Sequence, residues 1–192
     1  PDYLNLRGCR DLVAGNKIDD AVPVLYRMVA RRPFWKEPRA LLASALIAAG
    51  RFVPAKVQID TCLLLDPRDP QHYRILGRYY HAIGQDGQAV AVLEEARKDF
   101  PNDRQMAVLD MTYLYFTKAF AKADSMATAL IAADSTLPDP YLIKGWLADR
   151  GGDYRAAITY YSRFLTLAPR DPDAAATKKR METLQQQLTP SP

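Results

Sequence analysis

A chain of 192 residues with 48% apolar and 25% charged side chains has a globular balance and is too apolar for a disordered protein. Its longest apolar run, residues 40–49, is broken by Ser44 and reaches about half of the ~20 residues that a membrane span needs. A formal charge of +4 on scattered Lys and Arg lacks the concentrated basic face of a nucleic-acid binder, which argues against nucleic acid and mildly for an acidic partner.

The chain opens on Pro1-Asp2-Tyr3, with neither an initiator Met nor the basic and apolar blocks of a signal peptide, so an excised piece or a processed product is expected. Tyr3, Leu4, Leu6, Leu12 and Val13 give a first helical pattern, which ends near Asn16. A second helix follows; a cap at Asp20 would place Pro23 in its first turn, where the missing N–H does little harm. Pro33 closes the pair. The same order then returns in register. Pro33, Pro67 and Pro101 are 34 residues apart, Pro169 falls two steps further on, and Ser135 holds the step between. Ala21, Ala55, Ala89, Ala123 and Ala157 keep that interval without a gap, the mark of a repeat architecture.

In the third unit Tyr73, Leu76, Gly77 and Tyr80 share one helix face, Gly84-Gln85-Asp86-Gly87 turns the chain, and Ala89, Leu93 and Ala96 form a second face. The fifth unit repeats the scheme: Tyr141 and Gly145, the turn Gly151-Gly152-Asp153, then Tyr154, Ala157, Ile158, Tyr161 and Phe164. Proline cannot continue a helix and biases the residue before it, so each pair stops there. Gly50, Gly84 and Gly152 fall where the first helix needs a left-handed residue; Asn16 and Lys118 replace glycine in units one and four, and Lys118 suits the geometry least. The alanine column lets paired helices approach closely, and Cys9, Ala43, Gly77 and Gly145 are expected to face it, with Met111 as the exception.

The runs Tyr73-x2-Leu76-Gly77-x2-Tyr80 and Ala89-x3-Leu93-x2-Ala96-x4-Pro101 closely resemble the tetratricopeptide repeat signature, as does Gly152-Asp153-Tyr154 with Ala157, Tyr161 and Pro169. The resemblance covers roughly residues 2–169 and is weakest in the fourth unit. It implies an all-α fold, a right-handed α-solenoid of five helix-turn-helix repeats over about 2–35, 36–69, 70–103, 104–137 and 138–171. It also implies a concave face lined by the first helix of each pair, holding a protein or peptide.

Stacked hairpins need covers at both ends. From 172 to 188 the chain shows Ala174, Thr177, Met181, Leu184 and Leu188 on one side and Lys178, Lys179, Arg180 and Glu182 on the other, which reads as a closing helix. Residues 189–192 read as a tail or linker. Nothing comparable precedes the first unit, so further protein, a partner or a second copy is expected to cover that end, and a homo-oligomer formed through it is one outcome.

Signs of catalysis are absent from the pattern. His72 and His81 lack metal-pair spacing, and no HExxH, Walker loop or GxGxxG occurs, so neither an enzyme nor a cofactor nor a metal is expected. Cys9 and Cys62 lack metal spacing and read as small core residues; two unpaired thiols lean towards a cytoplasmic setting, with a bacterial envelope as the alternative. Asp66-Pro67, Asp69-Pro70, Asp139-Pro140 and Asp171-Pro172 read as helix boundaries with Asp capping. By the family architecture, Arg74, Arg78, His81, Thr112, Tyr115, Phe116, Leu142 and Trp146 line the concave groove, with Arg74 and Arg78 one turn apart and suited to a carboxylate. The Lys–Asn–Asn–Lys–Arg set with which some relatives clamp chaperone C-termini is missing; the matching places hold Leu6, Arg10, Leu41, Gln71 and Ile75. The functional expectation is a non-catalytic interaction scaffold. The alternatives are an accessory repeat domain of a larger enzyme or regulator, and a bacterial envelope assembly factor.

Overall fold

The computed structural model describes residues 2–188, with side chains from Asn5 onward, so the expectations for Tyr3, Leu4 and the 189–192 tail lie outside the described residues. The described residues form helices and no strands: α1 Asp2–Ala14, α2 Ile18–Arg31, α3 Lys36–Ala48, α4 Phe52–Leu65, α5 Pro70–Ala82, α6 Asp86–Asp99, α7 Arg104–Phe116, α8 Phe120–Ala133, α9 Asp139–Arg150, α10 Tyr154–Leu167 and α11 Ala174–Leu188. The chain divides into two compact units, Pro1–Leu109 and Asp110–Pro192. In the first unit each helix packs on its neighbour in sequence from α1 to α6, and α3 also packs on α5. In the second, α8 packs on α9, α9 on α10, and α10 on α11. This is the helical solenoid fold of a tetratricopeptide repeat protein, set by hairpins that cannot bury both faces alone.

All five residues of the alanine column are fully buried. At two of the small residues expected to face this column, the nearest side chain is a large one, one turn further along the second helix. A Cβ added at Gly77 would lie 3.1 Å from the Leu93 side chain, and one added at Gly145 would lie 2.4 Å from the Tyr161 ring. Leu93 and Tyr161 follow Ala89 and Ala157 by four residues, so the glycines admit the large side chain next along the same face. Cys9 and Cys62 are buried free thiols, as their reading as core residues requires. Burial raises both, Cys62 to about 11, which keeps that thiol protonated and inert.

The five hairpin turns share one hydrogen-bond scheme. Asn16, Gly50, Gly84, Lys118 and Gly152 take positive φ values of 58°, 68°, 75°, 63° and 80°. Each donates its N–H three residues back, and the following residue donates five back, as in Lys118 to Tyr115 and Ala119 to Leu114. The fourth turn forms in spite of its lysine, held by the same two bonds. Lys118→Gly is therefore expected to stabilise the protein by about 1 kcal/mol in urea denaturation, and Asn16→Gly by less.

Two boundary expectations change. The cap of α2 is Lys17, without a side-chain cap bond, so Pro23 lies inside the helix and removes the bond to the Asp19 carbonyl, on an exposed face of the helix. Asp69 does cap α5, accepting from the Gln71 N–H, but Asp139 is the first helical residue of α9 and makes no cap bond. Burial holds the Asp139 carboxyl above its usual range, with Asp171 and Asp173 adding repulsion.

The closing helix α11 packs on α10 and sinks Ala174, Thr177 and Leu184 into the second unit. Met181 is half-buried beside them, while Leu188 is exposed.

Candidate functional site

In the second unit, the end of α7 and the start of α8 place aromatic rings on both sides of the left-handed Lys118 turn. Tyr115 stacks at a tilt on Phe120 at 5.5 Å between centroids and on Trp146 of α9 at 5.2 Å. Phe116 reaches Trp146 at 6.2 Å and is 43% exposed. The Arg150 guanidinium lies 4.6 Å over Phe120. Tyr115 and Trp146 are half-buried, with part of each ring available to a ligand.

Beside these rings opens a cleft of about 330 Å³, lined by Tyr115, Trp146, Asp149, Arg150, Tyr161 and Arg180. Its floor is a fixed polar knot. Arg180 of α11 donates to both Asp149 oxygens, at 2.8 and 2.7 Å, and the Tyr161 hydroxyl donates to Asp149 Oδ2 at 3.1 Å. The Arg180 bonds hold the Asp149 carboxyl below the usual carboxylate range, while desolvation first and Asp149 second push the Tyr161 hydroxyl up. Sequence reasoning missed Phe120, Arg150 and Arg180 here. Arg180 sat among the polar residues of a closing helix, and nothing local tied it to a carboxylate 31 residues earlier.

Leu142 does not belong to this surface. It is 6% exposed and packs in the core with Tyr161 and Phe164, one turn deeper than Trp146 on the same helix. Thr112 is half-buried on α7.

The first unit holds the three remaining predicted residues on α5. Arg74 is already engaged, donating from Nη1 to Asp103 at 3.1 Å and to Gln105 at 2.6 Å. His81 Nδ1 meets Asp86 Oδ1 at 2.5 Å. Arg78 is exposed and makes no ion pair among the described residues. The predicted carboxylate grip by Arg74 and Arg78 together thus reduces to Arg78, because Asp103 has claimed the other guanidinium. His72 is buried with Nδ1 2.9 Å from the Asp66 carbonyl oxygen. No group of three or more His, Cys, Asp or Glu side chains suited to a metal occurs among the described residues, and no described helix is long and apolar enough to cross a membrane.

The fold is the one found in tetratricopeptide repeat proteins, and residues 138–171 match the family model described as tetratricopeptide repeat. The crystal structure of TTC0263, a thermophilic TPR protein of Thermus thermophilus, superposes with a TM-score of 0.82 over 97% of this chain and 100% of that one, at 21% identity. YrrB, described as a TPR protein with an unusual peptide-binding site, superposes with a TM-score of 0.60 over 91% of this chain and 90% of its own, at 15% identity. The mouse protein O-mannosyl-transferase TMTC1 is 26% identical over 149 residues, 73% of this chain, which spans 15% of that relative's length.

Proposed function

We propose that this protein is a non-catalytic scaffold that holds a segment of another protein on the concave side of its repeats, with Tyr115, Phe116 and Trp146 as the anchoring surface. The observation that carries the reading is the aromatic cluster of the second unit, in which Phe116 is 43% exposed and the half-buried Tyr115 and Trp146 line a cleft. Aromatic side chains dominate binding energy at protein interfaces because each covers much area at little entropic cost. Arg150 borders the same cleft, so the ligand is an acidic segment carrying an apolar side chain. The repeat fold supports a protein or peptide partner, and the peptide-binding site described for YrrB supports the same reading.

The test is selection of binders from a displayed random-peptide library, followed by affinity measurement on variants. Phe116→Ala and Trp146→Ala are each expected to weaken a selected acidic peptide roughly 30-fold, about 2 kcal/mol, with helicity by circular dichroism unchanged. Peptides that bind both variants as tightly as the parent would move the site elsewhere.

A second reading is favoured by the transferase relative: the same binding surface serving as an accessory repeat segment inside a longer protein. Recovery of the complete reading frame decides between the two.

A further inference from the structure

The helix α4 carries apolar side chains on its outer side as well as on its buried one, interrupted by Lys56, Asp60 and Thr61. Ala55, Ile59 and Cys62 face the core, while Val53, Val57 and Leu64 are 80%, 56% and 83% exposed. Large apolar side chains on the solvent side of a helix that already buries its other side are suited to a further partner. The repeat supplies an internal comparison. At the same three steps α2 carries Asp19, Pro23 and Ala30, and α10 carries Arg155, Thr159 and Thr166, so the exposed apolar stripe is particular to α4. The stripe runs about 16 Å along the helix at ~1.5 Å per residue.

We propose that this stripe is a dimer contact, in which α4 packs antiparallel against α4 of a second copy across a two-fold axis. The arrangement of the side chains points to a second copy as the occupant. The midpoint of Val53 and Leu64 falls between Gln58 and Ile59, and that of Lys56 and Asp60 falls on Gln58, half a residue away. A two-fold there sets Val53 of each chain over Leu64 of the other. It also brings Lys56 of each chain beside Asp60 of the other, on the same flank of the seam. The two residues pair within one chain at 2.8 Å, so the ion pair is in place to be shared. A surface whose apolar residues and charges both match their own two-fold copies closes on two copies and stops, which is the isologous arrangement. This contact is separate from the peptide surface of the second unit, and it uses α4 rather than the first repeat.

Light scattering behind size-exclusion chromatography, from low micromolar to near-millimolar protein, reads the association directly. The parent is expected to reach the mass of two chains. Val57→Glu is expected to raise the dissociation constant at least roughly 100-fold, with helicity unchanged, because it places two like charges near the axis. Thr159→Glu, at the same step of α10, leaves association as it is. The charge arms identify the occupant. Lys56→Glu and Asp60→Lys each weaken the dimer alone, and mixing the two variants restores it, because only the mixed pair aligns opposite charges at both crossings. A single-chain mass at every concentration, a dimer indifferent to Val57→Glu, or a mixture no heavier than its components overturns the proposal. Association lost only on changes in α1 overturns it as well.

Discussion

Gly145→Leu is expected to destabilise the second unit by about 3 kcal/mol, read as a lowered urea midpoint with an unchanged slope. The cause lies in one contact. Even a bare Cβ at this position would lie 2.4 Å from two carbons of the Tyr161 ring, well inside any real carbon–carbon contact. Moving that ring is costly: Tyr161 is 2% exposed, packs in one cluster with Leu142 and Phe164, and has its hydroxyl bonded to Asp149. The graded series separates this effect from helix propensity. Alanine at Gly145 gains about 1 kcal/mol of propensity but meets a ring that must shift, so a net loss of about 1–2 kcal/mol is expected. At Gly77 the added Cβ would lie 3.1 Å from the Leu93 side chain, whose methyl groups can give by a few tenths of an ångström. Gly77→Ala is expected to be close to neutral. Equal losses at the two glycines would show that propensity and backbone, rather than the opposing side chain, set the tolerance of these positions.

The contrast between those glycines marks where sequence reasoning stops. The 34-residue step, the alanine column and the left-handed turns were legible because each is a property of local chain geometry repeated in register. The partner of each small residue was not, because the register between two antiparallel helices depends on side chains from both. Periodicity pairs the glycines with the alanine column, and the nearest side chains to a Cβ at those glycines are Leu93 and Tyr161. Depth was hidden in the same way. Leu142 and Trp146 lie one turn apart on α9 and share a face by periodicity, yet one is core and the other reaches the cleft. Arg74 and Arg78 look equivalent on α5 until Asp103, 29 residues away, takes the first. Aromatic residues at the end of α7 were singled out from the family architecture, but Phe120 joined them only through the geometry of the Lys118 turn.

Asp149→Ala is expected to cost about 2 kcal/mol, most of it from the buried Tyr161 hydroxyl left without an acceptor. The Arg180 bonds contribute less, since that side chain is 45% exposed and water takes over part of the interaction. Asp149→Asn keeps one oxygen for Tyr161 or Arg180 and should lose about half as much. The pH dependence fixes the sign. Asp149 has a lower proton affinity in the folded chain than in the unfolded one, chiefly through its bonds to Arg180. Its contribution is therefore complete above the unfolded carboxylate value of about 3.9, and fades as pH falls through the lower folded value. Arg180 stays charged throughout this range. The urea midpoints of the parent and Asp149→Ala should thus differ most from pH 5 to 8 and draw closer in acid by the share that the carboxylate charge contributes, the acceptor for Tyr161 remaining on the protonated group. A difference that stayed constant down to the acid limit would mean that the carboxylate charge plays no part, and that the knot beneath the aromatic cleft is held by packing alone.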